Sequence, residues 1–441
     1  MRVVVADPGT APERKEYPVA IPDGGAAVAP ARDLAQVVAA LRRALALSRR
    51  GLGRVSPNPA VGCVLLDRAG TVAGEGWHVR AGGAHAEVLA LQDAAARAAG
   101  RPAAGSGPTH ASAGAGVLGG TAVVTLEPCA HTGRTGPCTT ALLAAGISRV
   151  VYAAADPVHC GGAEALRRAG VRVHGPGSLL VPEHLAAEAA AVNEAWSTAQ
   201  RTGRPHLTWK FAATLDGRSA AADGTSRWIT GSAARADAHQ WRDRADAVLV
   251  GAGTQRADDP ALTVRPAPAD GRQPLRVVLD PRGRTRPGAR VLDQRAPTML
   301  VLADGVRAPE LPAHVQVARV RLDPGQAGPP PNGGPHDRAT LLDPAAVLEL
   351  LYRRGLRSVL LEGGPRLAGS FLAAGLVDRV IGYLAPALLG AGPAALDDAG
   401  VLSIAGTHRL GPPEVRMLGT DLRLTARVLP RAQETATRGH D

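Results

Sequence analysis

Apolar residues repeat along this chain with two alternating periods, and the alternation predicts its elements. From Leu34, LAQVVAALRRALALSRRG keeps apolar side chains at helical spacing until Gly51 supplies a stop. AVGCVLLD and TVAGEGW then read as two strands joined by a turn around Arg68 to Gly70, and a helix opens at Ala86. TAVVTLEPCAH is a buried strand running into a Pro-Cys loop. TTALLAAGISRVVYAAAD is a helix–strand unit, and AEALRRAGVRVHG gives one more helix and strand. The pattern predicts an α/β domain over residues 34–175, a sheet between helices. A helical connection over 176–205 leads into a second α/β domain over 206–430. Residues 1–33 carry Pro, Gly and charge without sustained periodicity and read as a disordered extension. GRPAAGSGPTHASAGAG, about the segment 101–117, reads as an inserted surface loop, LDPGQAGPPPNGGPHDRAT as another loop, and 431–441 as a frayed tail.

Composition narrows the function classes. A length of 441 residues suits two domains better than one. The net charge of +11 raises nucleic acid as a partner, but arginine is spread along the chain and aromatics are only 2%. Single-strand binders interleave the two, so a small phosphorylated substrate or cofactor accounts better for the charge. No run is apolar enough to span a bilayer. The opening MRVVVADPG is too short for a secretory signal, and a cytoplasmic protein is expected. Four cysteines in so long a chain do not make a disulfide framework; thiols or metal ligands are expected. Of 50 basic residues only Lys15 and Lys210 are lysine. Lys210 sits in the strand-like HLTWKFAATLDGR, where a tunable point charge is something arginine cannot supply. A snorkelling edge lysine is the plainer alternative.

His85 and Glu87 stand two apart at the head of the helix-like HAEVLALQDA, a pairing common by chance. TLEPCAHTGRTGPCTTALLAAG supplies partners: Cys129 and Cys138, each preceded by proline. His85, Cys129 and Cys138 suit Zn²⁺ and leave its fourth position to water. Glu87 is placed to shuttle a proton between that water and a leaving amine, the arrangement of zinc deaminases. Those enzymes usually carry Cys-x2-Cys, whereas eight residues intervene here. His131 is near enough in sequence to be a fourth ligand of a structural zinc. Cys63 reads as a small buried hydrophobe, and Cys160 has no assigned role.

At this point a resemblance emerges. SPNPAVGCVLLD, GEGWH, HAEVLAL and TLEPCAHTGRTGPC, then KFAATLDGR, SRWITG, VGAGTQRADDPALTVR and LEGGPRLAGSFL, occur in this order. Over about residues 34–430 the chain resembles the bifunctional riboflavin-biosynthesis deaminase–reductases. The resemblance implies a cytidine-deaminase-like three-layer domain followed by a dihydrofolate-reductase-like domain. The first would remove the 2-amino group of a diaminopyrimidinone ribosylamine phosphate; the second would reduce the ribose to ribityl with NADPH. It further implies zinc on His85, Cys129 and Cys138, Glu87 as proton donor, and Asn58 and His78 facing the pyrimidine. Ala212, Trp228, Thr254, Asp258, Pro281 and the run Gly364, Pro365, Arg366, Leu367, Ala368, Gly369 and Ser370 match cofactor-contacting positions. Ser226, Arg242, Leu262, Arg265 and Glu362 match substrate-contacting ones, with Arg242 and Arg265 read as a phosphate clamp. Lys210 and Glu362 are candidates to manage protons as the ribose opens, and Asp216 is expected near Lys210. Amides at Gly363 and Gly364, before an apolar helix, suit a cofactor phosphate. The expected partner is a phosphorylated pyrimidine, with no nucleic acid, no membrane and a homo-oligomeric assembly. DPVHCGGAEAL departs from the family's Asp-Pro-Asn-Pro loop, so contacts from that loop are not carried over. A paralogue with one activity, or a zinc-stabilised nucleic-acid binder, are the alternative readings; Glu87 argues against the second.

Overall fold

The computed structural model describes residues 31–100, 116–132, 136–324 and 341–431. The expected head extension up to residue 30, most of the 101–117 insert and of the second Pro/Gly-rich loop, and nearly all of the tail lie outside the described residues. Within them, no helix is long and apolar enough to cross a membrane.

The first sheet comprises β1 (Gly62–Leu66), β2 (Val72–Trp77), β3 (Thr121–Val124), β4 (Arg149–Tyr152) and β5 (Arg172–His174), in the order β2-β1-β3-β4-β5. β1 pairs antiparallel with β2 and β3, whereas β3, β4 and β5 run parallel. Period-two alternation sorts its side chains into two cores. Val64, Leu66, Val123 and Val151 pack under α1 (Ala31–Ser48) and α5 (Glu183–Val192). Cys63, Leu65, Val124 and Val150 pack under α2 (Ala86–Ala98), α3 (Cys138–Ala144) and α4 (Gly162–Arg168). Both faces are covered, which is why these strands read as continuous apolar runs. Helix α1 starts three residues before Leu34, because Asp33 is held by the Arg149 guanidinium at 2.6 and 2.7 Å.

The connection is two helices, α5 and α6 (Glu194–Thr202), broken at Asn193. The Asn193 amide accepts from Ala60 N at 2.8 Å and donates to Ala60 O at 2.9 Å, which docks the break onto the first unit. Helix α6 then packs on the second sheet.

That sheet has nine strands: β6 (His206–Thr214), β7 (Ala247–Gly251), β8 (Leu275–Leu279), β9 (Thr298–Ala303), β10 (Gln316–Val320), β11 (Ser358–Leu361), β12 (Arg379–Ala385), β13 (Glu414–Leu418) and β14 (Asp421–Arg427). Their order is β10-β9-β8-β7-β11-β6-β12-β14-β13, with every pairing parallel except those of β14, which runs antiparallel to both β12 and β13. Helices α7 (Ser232–Arg244), α8 (Ala252–Asp258), α9 (Pro344–Arg353) and α10 (Pro365–Ala373) make the connections. Strand β11 returns late in the chain to fill the gap between β7 and β6. A crevice opens past the carboxyl ends of strands where the order reverses, the usual ligand position in open α/β sheets.

Candidate active sites

His85 precedes the first turn of α2 with extended backbone (φ −72°, ψ 163°) and makes no capping bond, so its imidazole is free to bind elsewhere. Cys138 is the first residue of α3, entered from Pro137. Cys129 lies on the loop after β3, and its sulfur accepts the Cys138 amide at 3.4 Å. The three donor atoms all lie within 4.8 Å of one another. His85 Nδ1 is 3.2 Å from Cys138 Sγ and 3.6 Å from Cys129 Sγ. Tetrahedral zinc with ordinary Zn–N and Zn–S lengths wants an N···S edge of about 3.6 Å, so the residues fit the ion. The Cys138 thiol donates to Cys129, which brings Cys129 down to about 4 and sends Cys138 up. His131 does not join. Its ring stacks on His159 at 4.2 Å, which leaves three ligands among the described residues.

Glu87, in the first turn of α2, is 3% exposed, and burial pushes its carboxyl up. It lines a cavity of about 270 Å³ together with His85, Cys129, Asn58 and His78. The His78 ring is polarised by two bonds: Nδ1 lies 3.0 Å from Ala84 O, and Nε2 lies 3.1 Å from Asn58 Nδ2. A carbonyl only accepts, so Nδ1 carries the proton and Nε2 accepts from the Asn58 amide. Asn58 Oδ1 is left to accept from a ligand. Trp196 and Gln200 of α6 complete the wall; nothing in their sequence context marks them, because they belong to the connection. Asp156 and Glu127 line the cavity too. The Asp156 carboxylate accepts the amides of Val158 and His159 at 2.8 Å and fixes the shortened loop.

The second cleft, of about 930 Å³, spans the carboxyl ends of β6, β7 and β11. It is lined by Lys210, Ala212, Ser226, Trp228, Arg242, Thr254, Asp258, Leu262, Arg265, Pro281 and Glu362, and by Gly364, Pro365, Arg366 and Leu367. Ala368, Gly369 and Ser370 are not on its wall. They are buried in α10, where a Cβ on Gly369 would sit 2.2 Å from Asp398 O. Trp228 is 68% exposed, with the Arg235 guanidinium 4.4 Å from its ring centroid, an open shelf and not a core residue. The Gly364 amide donates to Thr254 Oγ1 at 3.0 Å, and Pro365 has no N–H, so this turn offers fewer free amides than the glycine pair suggests.

Glu362 organises the polar end. Burial alone would raise its carboxyl, yet Arg242, with Lys210 and His239, holds it at about 2. Arg242 donates to it through Nε at 2.5 Å and Nη2 at 2.8 Å, and through Nη1 to Thr263 O at 3.0 Å. This corrects the expected phosphate clamp: the Arg242 fork is taken, while the exposed Arg265 side chain stays open to an anion. Asp216 also departs from expectation. It is committed to Thr214 and to the amides of Leu389 and Gly390. The charged neighbours of Lys210 are Glu362 and Arg242 instead.

Comparison with known proteins places both units. A family model described as the cytidine and deoxycytidylate deaminase zinc-binding region matches residues 35–154, and one described as the RibD C-terminal domain matches 205–424. The riboflavin biosynthesis protein RibD of Mycobacterium tuberculosis H37Rv is 41% identical over 85% of this chain and 92% of its own. That of Escherichia coli K12 is 37% identical over 87% and 97%. Among solved structures, a diaminohydroxyphosphoribosylaminopyrimidine deaminase/5-amino-6-(5-phosphoribosylamino)uracil reductase from Thermotoga maritima superposes with TM-score 0.73 at 31% identity, covering 90% of this chain and 99% of that one. RibD of Acinetobacter baumannii gives 0.70 at 34%, covering 90% and 100%.

Proposed function

The chain belongs to the RibD family of riboflavin-biosynthesis proteins, and from that premise we propose which residues carry each of its two reactions. It is a bifunctional enzyme, a zinc-dependent deaminase joined to an NADPH-dependent reductase. The proposed substrate is 2,5-diamino-6-(5-phosphoribosylamino)pyrimidin-4-one, in line with the activity named for the Thermotoga relative.

His85, Cys129 and Cys138 hold the zinc, which when bound acidifies water towards neutral pH. Asn58 Oδ1 accepts from the pyrimidine and sets its orientation. Glu87 takes the proton of the attacking water and passes it to the departing amine as the C–O bond forms and the C–N bond breaks. In the second cleft the Trp228 ring and the 363–367 turn receive the nicotinamide cofactor. Arg265 receives the substrate phosphate. Arg242 keeps Glu362 ionised beside Lys210, so that a carboxylate and an ammonium face the opening ribose.

The observation that carries the deaminase reading is a buried carboxylate on the same helix end as one ligand of a three-ligand zinc set. Glu87→Gln keeps size and hydrogen bonding but takes up no proton. Ammonia release should fall about 10²-fold or more while zinc content and reduction of the deaminated substrate persist. Near-normal ammonia release would remove Glu87 from the mechanism.

The same reading includes a cytoplasmic location, supported by four cysteines of which none is paired in a disulfide, and a homo-oligomer. Leu402 and Ile404 are 98% and 82% exposed, and β13 is an outer edge bearing exposed Val415 and Met417, a surface suited to a second copy. Light scattering should give a multiple of 45.0 kDa, and a monomeric mass would remove this part.

A further inference from the structure

The loop between α1 and β1 reaches out of the first unit. Gly53 has φ 74°, and a Cβ there would lie 2.4 Å from the carbonyl oxygen of Asp243 at the end of α7. Only glycine allows that approach. The Arg54 guanidinium donates through Nε to Asp270 at 2.5 Å and through Nη2 to Asp243 at 3.1 Å. Ser56 Oγ donates at 2.7 Å to Asp246, whose same oxygen accepts the amides of Arg357 and Ser358. All three carboxylates belong to the reductase unit. The chain then closes a turn, with Asn58 N donating to Val55 O at 2.8 Å, and delivers Asn58 to His78 in the zinc-site cavity. Arg54 and Asn58 therefore flank a short segment that is itself anchored at Ser56. A second wall of that cavity, Trp196 and Gln200, comes from α6, which also packs on β6 and β11.

We propose that Arg54 is a positioning residue for deamination: its ion pairs with Asp243 and Asp270 hold the turn that aims Asn58 at the pyrimidine. One turn of the deaminase pocket is thus held in place from the other unit. This rests on the reading of Asn58 as a pyrimidine contact. Asp243 and Asp270 are 32% and 45% exposed, so neither pair alone is strong, and the clamp acts through two carboxylates converging on one guanidinium. Exposure also makes it sensitive to salt, because the screening length drops from about 10 Å at 0.1 M to about 3 Å at 1 M.

The test uses the full-length, zinc-loaded enzyme and measures ammonia release separately from reduction of the deaminated substrate. Arg54→Ala should lower deaminase kcat/KM about tenfold or more, mainly through KM, since a misplaced contact and not a lost reacting group is the defect. Arg54→Lys should recover part of it. Zinc content and the reductase rate should stay within about twofold of wild type, a bound well inside the effect sought. Added KCl should depress wild-type deamination more steeply than that of Arg54→Ala. Wild-type deaminase kcat/KM in Arg54→Ala, equal loss of both activities, or identical salt curves would overturn the proposal. Should Arg54→Ala not fold, Asp270→Asn, at the exposed end of the clamp, must show a smaller loss of the same kind, and no loss there is equally fatal. Asn58→Ala separates the two readings. Normal deamination in that variant removes the pyrimidine contact itself, whereas impaired deamination beside an unimpaired Arg54→Ala removes only the clamp.

Discussion

Lys210 Nζ lies 5.7 Å from the centroid of the Tyr383 ring and faces Glu362 and Arg242 across the reductase cleft. Burial lowers its pKa, Glu362 opposes that, and Arg242 adds to it, so the ammonium is held in place by one carboxylate already shared with a guanidinium. A planar fork in this position would compete with Arg242 for Glu362 and crowd the ring. Lys210→Arg should therefore keep the net charge yet slow reduction by about 10²-fold, the scale of losing one preorganised electrostatic contact. NADPH consumption on deaminated substrate reads this directly, and a wild-type rate would leave Lys210 a structural cation of the central strand β6, without a part in reduction. The residue was legible in the sequence because arginine replaces lysine almost everywhere else. Its partner geometry was not. Arg242 and Glu362 are 120 positions apart, and only the insertion of β11 between β7 and β6 brings them within 2.5 Å.

At the scale of elements, α2 is placed by two glycines of β2. A Cβ on Gly74 would lie 2.4 Å from Ala90 O, and one on Gly76 would lie 2.4 Å from both Ala86 O and Ala90 N. The obstacles are backbone atoms, which do not rotate away. Helix and strand are pressed together, with Ala86, Ala90 and Ala94 as the helix's contact face. Ala86 lies between His85 and Glu87, so this contact sets where ligand and proton carrier stand relative to the two cysteines. Gly76→Ala should push α2 outward, destabilise the first unit by about 1–3 kcal/mol, and cut ammonia release about tenfold or more, leaving reduction intact. Calorimetry and the two separate assays check it; unchanged deamination would mean that the helix tolerates the shift. The elements themselves were readable, since continuous apolar runs mark β1 and β3 and helical apolar spacing marks α2 and α3. What periodicity does not encode is which strand lies beside which, or that α5 and α6 break at Asn193 to bring Trp196 and Gln200 to a site whose His85 and Glu87 stand far upstream in sequence. Those depend on contacts distant in the chain.

For the whole molecule, the apolar cores keep to their own units. The two clusters around the first sheet draw on residues up to Trp196, and the main clusters of the second begin at Leu207. What joins the loop 53–56 to the reductase unit is polar: Arg54 with Asp243 and Asp270, and Ser56 with Asp246. Such a contact aligns two units without making their unfolding one event. A ligand that binds the folded form of one unit stabilises that unit alone, by an amount set by its concentration relative to its dissociation constant. The three zinc ligands all belong to the first unit, and each must be deprotonated at the atom that binds, so stripping the ion leaves only hydrogen bonds among the three side chains in its place. Treatment with a chelator should abolish ammonia release and lower the thermal transition of the first unit. The transition of the second unit and NADPH-dependent reduction of the deaminated substrate should not move, and added Zn²⁺ should restore the first. Calorimetry of the zinc-loaded and stripped enzyme, with both assays run on the same samples, decides the matter. If both transitions fell together, or reduction were lost with the metal, the polar contact would be transmitting far more than alignment, and the independence of the two units would be wrong.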